Sequence, residues 1–274
     1  MAVDRYVVVG NPIAHSKSPL IDAAFAAQTG QNISYDRLLA PLDGFASAVE
    51  DFRDGGGKGL NVTVPFKQEA WQFCNRLSER ARLAEAVNTI QFPDGEIFGD
   101  NTDGVGLCRD IGHNLQHPLK SKRILLLGAG GAARGVILPL LAEHPASLTI
   151  ANRTASKAQQ LAEQFHAYGA ISASSYAALA GQSFDVVINA TSASLSDALP
   201  PLPEGCFAAA SLAYDMMYGK GLTPFLLFAQ QQGATHLSDG LGMLVEQAAE
   251  AFLLWRGVRP ETAAVMAELR AALC

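Results

Sequence analysis

"RILLLGAGGAARGVILPLLAEH", residues 123–144, decides how this chain folds. A short apolar run of strand length ends at Gly128, and an amphipathic helical pattern follows. Gly128, Gly130 and Ala133 keep the spacing GxGxxG/A. Alone that spacing says little. Between a strand and a helix it marks a turn whose backbone approaches a pyrophosphate, with the first helical N–H groups receiving the charge. A plain tight strand–helix turn is the competing reading. Downstream, "SLTIANRT" (147–154) reads as a strand, "SKAQQLAEQFHAYG" as a helix and "FDVVINATS" (184–192) as a strand. Strand–helix–strand alternation predicts a parallel, doubly wound sheet.

About twenty residues beyond such a glycine loop, NAD-binding chains place an Asp or Glu on the ribose hydroxyls. Here the sequence reads Ala151-Asn152-Arg153-Thr154, with Lys157 close behind. A carboxylate would repel a 2′-phosphate, whereas a guanidinium grips one in a fork. Asn152, Arg153, Thr154 and Lys157 therefore point to NADP. The plainer alternative is a solvated strand end with Thr154 as a helix cap.

Upstream, "YVVVG" (6–10) reads as a buried strand. "SPLIDAAFAAQTG" (18–30) reads as a helix with Ser18 as N-cap, Pro19 at the first helical position and Gly30 at the end. "ISYDRLLA" and "GLNVTVP" are further strands, with a helix near 43–53 between them. "AVNTIQF" and "GEIFGDN" form a hairpin around Pro93–Gly95. After the central region come a Pro-rich loop, "DALPPLPEG", and a helix from Thr223–Pro224 to about Gln232. Two closing helices follow, broken at Gly257 and Pro260.

The 274 residues are 49% hydrophobic and 17% charged, enough for about two globular domains. Twenty basic against 26 acidic residues give a net charge of −6, with no Lys/Arg block. That argues against nucleic acid or an anionic membrane as partner. Cys74, Cys108, Cys206 and Cys274 lie far apart without metal-ligand spacing, so neither zinc nor any other metal is expected. No apolar run reaches membrane length, and "MAVDRYVVVGNP" lacks a secretory pattern, so a cytoplasmic protein is expected.

A nicotinamide cofactor implies hydride transfer, and a ketone accepting hydride needs a proton donor or positive charge at its oxygen. Polar residues of the first hundred positions are candidates. Ser16 and Ser18 stand at a helix start suited to a carboxylate. Asn61 and Thr63 share a strand face by period two, and Lys67 follows beyond the strand end. Asn88 lies in "AVNT" and Asp103 in "GDNTDG". Each has a structural alternative: a cap for Ser18 or Asp103, an edge-strand polar for Asn61 or Thr63, a turn former for Asn88, a solvated surface lysine for Lys67.

"GNPIAHSKSP", "GLNVTVPFK", "AVNT", "GDNTDG", "GAGGAARG", "NRT", "NATS", "YDMMY" and "DGLGMLVEQAA" occur in the order seen in shikimate dehydrogenases. The chain resembles that family over essentially its whole length. The resemblance implies reversible NADPH-dependent reduction of 3-dehydroshikimate to shikimate, in aromatic amino acid synthesis. It implies two α/β domains: a substrate domain, 1–103 with 239–274, and a Rossmann-type NADP-binding domain, 104–238, the closing helices returning to the first.

By the same resemblance, Ser16 and Ser18 bind the substrate carboxylate. Thr63, Asn88, Asp103 and Gln247 hold ring hydroxyls, Asn61, Tyr218 and Lys67 complete the pocket, and Lys67 and Asp103 form the catalytic pair. Gly128, Ala129, Gly130, Gly131 and Ala132, then Asn152, Arg153, Thr154, Ala155, Ser156 and Lys157, match the NADP contacts. Met216 and Gly240 fall near the nicotinamide. A monomer or homodimer is expected. Two departures stand out: Ser194 where the family often has glycine, and Lys157 where many relatives have arginine. A broader enzyme using quinate or NAD, and a non-catalytic NADP sensor, remain as alternatives.

Overall fold

Strand β1 (Asp4–Gly10) is buried on both faces, and that explains its unbroken apolar run. Val7 and Val9 join one apolar cluster with Phe45, Val49, Leu60, Val62 and Phe66. Tyr6 and Val8 join another with Tyr35, Ala251 and Trp255. The computed structural model describes residues 3–191 and 199–273, and the chain divides into two units. The first spans 1–106 and 245–265; the second spans 107–244 and 266–274.

In the first unit β1 is followed by α1 (Ser18–Thr29), β2 (Ile33–Leu39), α2 (Phe45–Asp54) and β3 (Gly57–Val62). Next come α3 (Lys67–Phe73), β4 (Arg76–Leu77), α4 (Glu79–Ala84), β5 (Thr89–Gln91), β6 (Phe98–Asp100) and the start of α5 (Asp103–Arg109). The sheet order is β2-β1-β3-β5-β6-β4. β1 pairs in parallel with β2 and β3, while β3–β5 and β5–β6 are antiparallel. Helix α1 begins one residue earlier than a Ser18 cap requires. Lys17 occupies the cap position without a side-chain bond, and Gly30 closes the helix in the left-handed region at φ 65°.

The second unit opens with a π-helical turn, Asp110–Asn114. It continues with β7 (Arg123–Leu127), α6 (Gly131–Ala142), β8 (Ser147–Ala151), α7 (Ala155–Phe165), β9 (Ile171–Ser174) and β10 (Phe184–Asn189). β11 (Phe207–Asp215), α8 (Pro224–Gln231) and β12 (His236–Asp239) complete its strands. All pairings are parallel, in the order β12-β11-β10-β7-β8-β9. That is the doubly wound 3-2-1-4-5-6 order, with its switch point between β7 and β10. Most of α9 (Leu241–Arg256) groups with the first unit; α10 (Ala263–Leu273) groups with the second from Met266 onward. Among the described residues, no helix is long and apolar enough to cross a membrane.

Candidate active site

Sheet register lines up the polar residues of the first unit. Asn61 of β3 stands opposite Thr89 of β5, which stands opposite Asp100 of β6. Leu60 and Val62 point into one apolar cluster, and the pleat turns Asn61 to the other face. There the Tyr35 hydroxyl donates to Asn61 Oδ1 at 2.6 Å, and Asn61 Nδ2 donates to Thr89 Oγ1 at 3.1 Å. Asn88, 2% exposed, is the hub. Its Nδ2 donates to Asp103 Oδ1 (2.8 Å), Thr102 Oγ1 (2.9 Å) and Gln247 Oε1 (3.2 Å), and its Oδ1 accepts from the Thr102 N–H (2.8 Å). Helix α9 brings Gln247 in from far along the chain. It meets α5 where Gly106 has no side chain: a Cβ there would lie 2.7 Å from the Gln247 backbone nitrogen.

Lys67 begins α3, a short helix that the strand pattern did not reveal, so the lysine is held by a helix start. Its Nζ lies 2.5 Å from Asp103 Oδ2. Asn88 holds the other carboxylate oxygen, so the acid's orientation is set from two sides. Asp103 is also the first residue of α5, where a negative charge suits the helix dipole, and Asn101 Oδ1 accepts its N–H. Asp103 is 11% exposed at the side chain and Lys67 30%, so the ammonium keeps an open side. An ammonium has three N–H donors, more than Asp103 alone uses.

Ser16 Oγ donates to Ser18 Oγ at 3.2 Å and accepts the Ser18 N–H at 3.3 Å. Arg37 fixes the Ser16 carbonyl. Because Ser18 does not cap α1, its hydroxyl is not committed to the helix. Thr63 departs from its expected strand position. β3 ends at Val62, and Thr63 lies beyond it, its N–H donating to Val9. A Cβ at Gly10 would meet Thr63 Cγ2 at 2.6 Å, so the Thr63 side chain stays on the face that Asn61 takes. Tyr218 belongs to the second unit; burial, with the charge of Asp239, raises its phenol pKa.

A buried ion network underpins the Asp103 loop. Arg80 clasps Asp100 through Nε (2.7 Å) and Nη2 (2.5 Å) and reaches Glu250 of α9 at 3.2 Å. Ser78 also donates to Asp100. Burial by itself would raise the Asp100 carboxyl; the Arg80 hydrogen bonds and charge, with Ser78 and the Asn101 N–H, outweigh it and hold the pKa below its ordinary value. A lowered native pKa gives stability that is present above the unfolded carboxylate value and lost as pH falls through the native one. Removing one partner strands the other charge, so Arg80→Ala should destabilise the fold by about 3 kcal/mol. The check is urea unfolding at neutral pH, where an unchanged midpoint would contradict the role given to Arg80.

In the second unit, Gly128 follows β7 at φ 107°, a conformation that favours glycine. Its N–H donates to the Ala151 carbonyl at 2.8 Å, bringing the glycine loop against the end of β8. Gly130 occupies the cap position of α6, with Gly131 and Ala132 opening the helix. A Cβ at Gly130 or Gly131 would meet no protein atom within 4 Å, so a phosphate has room against this backbone. After β8, Asn152 Nδ2 donates to the Thr154 carbonyl, and Arg153, Thr154, Ala155, Ser156 and Lys157 are exposed with no carboxylate among them. The donor set fits a phosphorylated ribose. Met216 follows β11, its N–H bonded to Asn189, and Gly240 has no room for a Cβ because the Met216 carbonyl fills the place.

Several organising residues were not read from the sequence. Tyr35, Thr89, Asn101 and Thr102 support the first-unit network; the last three stand in the quoted "AVNT" and "GDNTDG", while Tyr35 is placed by long-range packing alone. Asn189 and Asp215 organise the second: Asn189 Oδ1 accepts from Thr191, and Asp215 accepts from Asn189, Met217 and Thr223. Both lie in quoted motifs, which was the available signal. Ser194 lies outside the described residues.

Three family models match this chain. They are the shikimate dehydrogenase substrate binding domain at residues 8–90, shikimate/quinate 5-dehydrogenase at 110–196, and the shikimate 5'-dehydrogenase C-terminal domain at 240–270. The chain belongs to the shikimate dehydrogenase family. A shikimate dehydrogenase (NADP(+)) of Aromatoleum aromaticum is 65% identical, covering 98% of each chain. Among solved structures of similar shape, an Ael1 enzyme from Pseudomonas putida is 54% identical, with TM-score 0.93 over 97% of this chain and 98% of that one. The family's shikimate 5-dehydrogenase from Thermus thermophilus, solved with NADP(H) and shikimate, is 33% identical, with TM-score 0.87 over 99% and 100%.

Proposed function

We infer that this chain is an NADP-dependent oxidoreductase that reversibly reduces 3-dehydroshikimate to shikimate. The observation that carries the chemistry is the Lys67–Asp103 pair, fixed by Asn88 inside a polar network. Bound NADPH supplies the hydride. Lys67, as an ammonium, stabilises the charge that develops on the carbonyl oxygen, and the Lys67–Asp103 pair delivers the proton that completes the alcohol. Running backward, the same pair takes the proton from the alcohol. Asn88, Thr63, Gln247 and Asp103 orient the ring hydroxyls, with Asn61 completing the first unit's share of the pocket. Ser16 and Ser18 receive the carboxylate, supported by hydroxyls that α1 does not use.

Gly128 to Ala132 cradle the pyrophosphate, Asn152 to Lys157 hold the 2′-phosphate, and Met216 and Gly240 flank the nicotinamide. The first unit is read as the substrate domain and the second as the cofactor domain. The protein works in the cytoplasm as a monomer or homodimer. Its described cysteines are free, and burial raises the Cys74 thiol to about 12, which leaves it unreactive.

Steady-state rates with shikimate and quinate, each with NADP and NAD, test this reading. The expected result is the highest kcat/KM for shikimate with NADP. A higher value with NAD would overturn the cofactor assignment, and no turnover at any pH would favour a binding protein.

A further inference from the structure

Asp22 has no task in the chemistry above, yet it is fully buried, and neither carboxylate oxygen has a hydrogen-bond partner. It lies four residues after Ser18 on α1, hence on the same helix face one turn on. It also lies within electrostatic reach of Tyr35. Tyr35 donates to Asn61, and Ser18 is placed to hydrogen-bond the phenol. Asp22, Ser18, Tyr35 and Asn61 thus form one cluster behind the hydroxyls assigned to the substrate carboxylate.

We propose that Asp22 is a positioning residue for that carboxylate and works only as the neutral acid. An ionised carboxylate buried without a partner is strongly disfavoured, so the group carries its proton; burial pushes its pKa well above the carboxylate range. None of the charged groups of the packed elements bonds Asp22: Arg37 of β2, in phase with Tyr35, is turned to the Ser16 carbonyl, and its neighbour Asp36 points to the other face. Tyr35 of β2 is a neutral phenol whose own pKa burial raises well above its usual value, and an ionised Asp22 would raise it further. On α9, Glu246 is bonded to Arg259 and Thr262, Glu250 to Arg80 and Arg259, and Arg256 to Asp4 of β1.

With Asp22 neutral, an incoming carboxylate meets hydroxyls, helix N–H groups and the positive charge of Arg37 at the Ser16 carbonyl. With Asp22 ionised, a second negative charge stands about one turn away in a site with little water to screen it. Ionisation and substrate binding then oppose each other, and the coupling is reciprocal. Affinity falls as pH rises through the Asp22 titration, and in that range binding takes up a proton.

The inference rests on the carboxylate assignment to Ser16 and Ser18, so the experiment separates the two. Shikimate binding to the full-length enzyme is measured by calorimetry at pH 7 and at pH 9.5 for the parent, Asp22→Asn and Ser18→Ala. The parent should weaken by about ten-fold or more between the two pH values while Asp22→Asn holds nearly constant. Equal weakening of both, or no weakening of the parent, would overturn the proposal. Ser18→Ala binding like the parent at pH 7 would instead refute the carboxylate reading. Should Asp22→Asn not fold, the parent titrated at pH 9.5 in two buffers of different ionisation enthalpy gives the same answer. Proton uptake on binding supports the proposal and its absence ends it.

Discussion

Replacing Lys67 by alanine should lower kcat by about 10²- to 10⁴-fold, the usual contribution of a positioned acid–base group, with NADP binding near that of the parent. The ammonium is the cation in contact with Asp103, at 2.5 Å, and its side chain keeps an exposed face. Alanine removes both the charge that meets the developing oxygen and a donor in the proton path. It leaves Asp103 with the Asn88 bond and a buried negative charge facing the ligand, which adds a rise in KM. NADP contacts are assigned to the glycine loop and the residues after β8, none of which involves Lys67. The check is steady-state kinetics combined with NADP titration by fluorescence. An unchanged kcat would remove Lys67 from the mechanism; lost NADP binding would mean that the substitution disturbed the fold.

Replacing Arg153 by alanine should weaken NADP binding by about 10- to 100-fold, the worth of hydrogen bonds to a charged group, and leave NAD binding little changed. The reason is local geometry. The Gly128–Ala151 bond fixes the glycine loop beside the end of β8, so the residues after Ala151 fall where the adenosine ribose must lie. Arg153 is exposed there, with no carboxylate between Asn152 and Lys157 to oppose a phosphate. Lys157 adds charge without the planar fork of a guanidinium, which limits how far it substitutes. Equal losses for NADP and NAD would contradict the 2′-phosphate role.

Much of the second unit was legible because its signals are local. The β7 strand, the glycine turn and α6 are contiguous, and strand–helix alternation implies a parallel sheet. Strands β9, β11 and β12 were not anticipated: β9 and β12 are four residues each, at the sheet edges, where half-exposed positions blur the apolar pattern, and the nine-residue β11 carries small and exposed residues ahead of its buried half. Helix α3 was missed for a similar reason, since seven residues are too few to show a period.

By itself the sequence determined the doubly wound cofactor fold, the absence of an acid where NAD would need one, and the order of motifs that places the chain in its family. Those features depend on neighbours a few residues apart, where backbone preference and side-chain spacing act directly. The tertiary structure decided that Asn61, Asn88, Asp103 and Gln247 meet, that Thr63 lies one residue past its strand, and that Asp22 is sealed without a hydrogen-bond partner one helical turn from Ser18. Strand register and helix packing set those outcomes, joining residues as much as 159 positions apart, as in the Asn88–Gln247 bond. A local pattern carries no information on which distant strand or helix will be its neighbour.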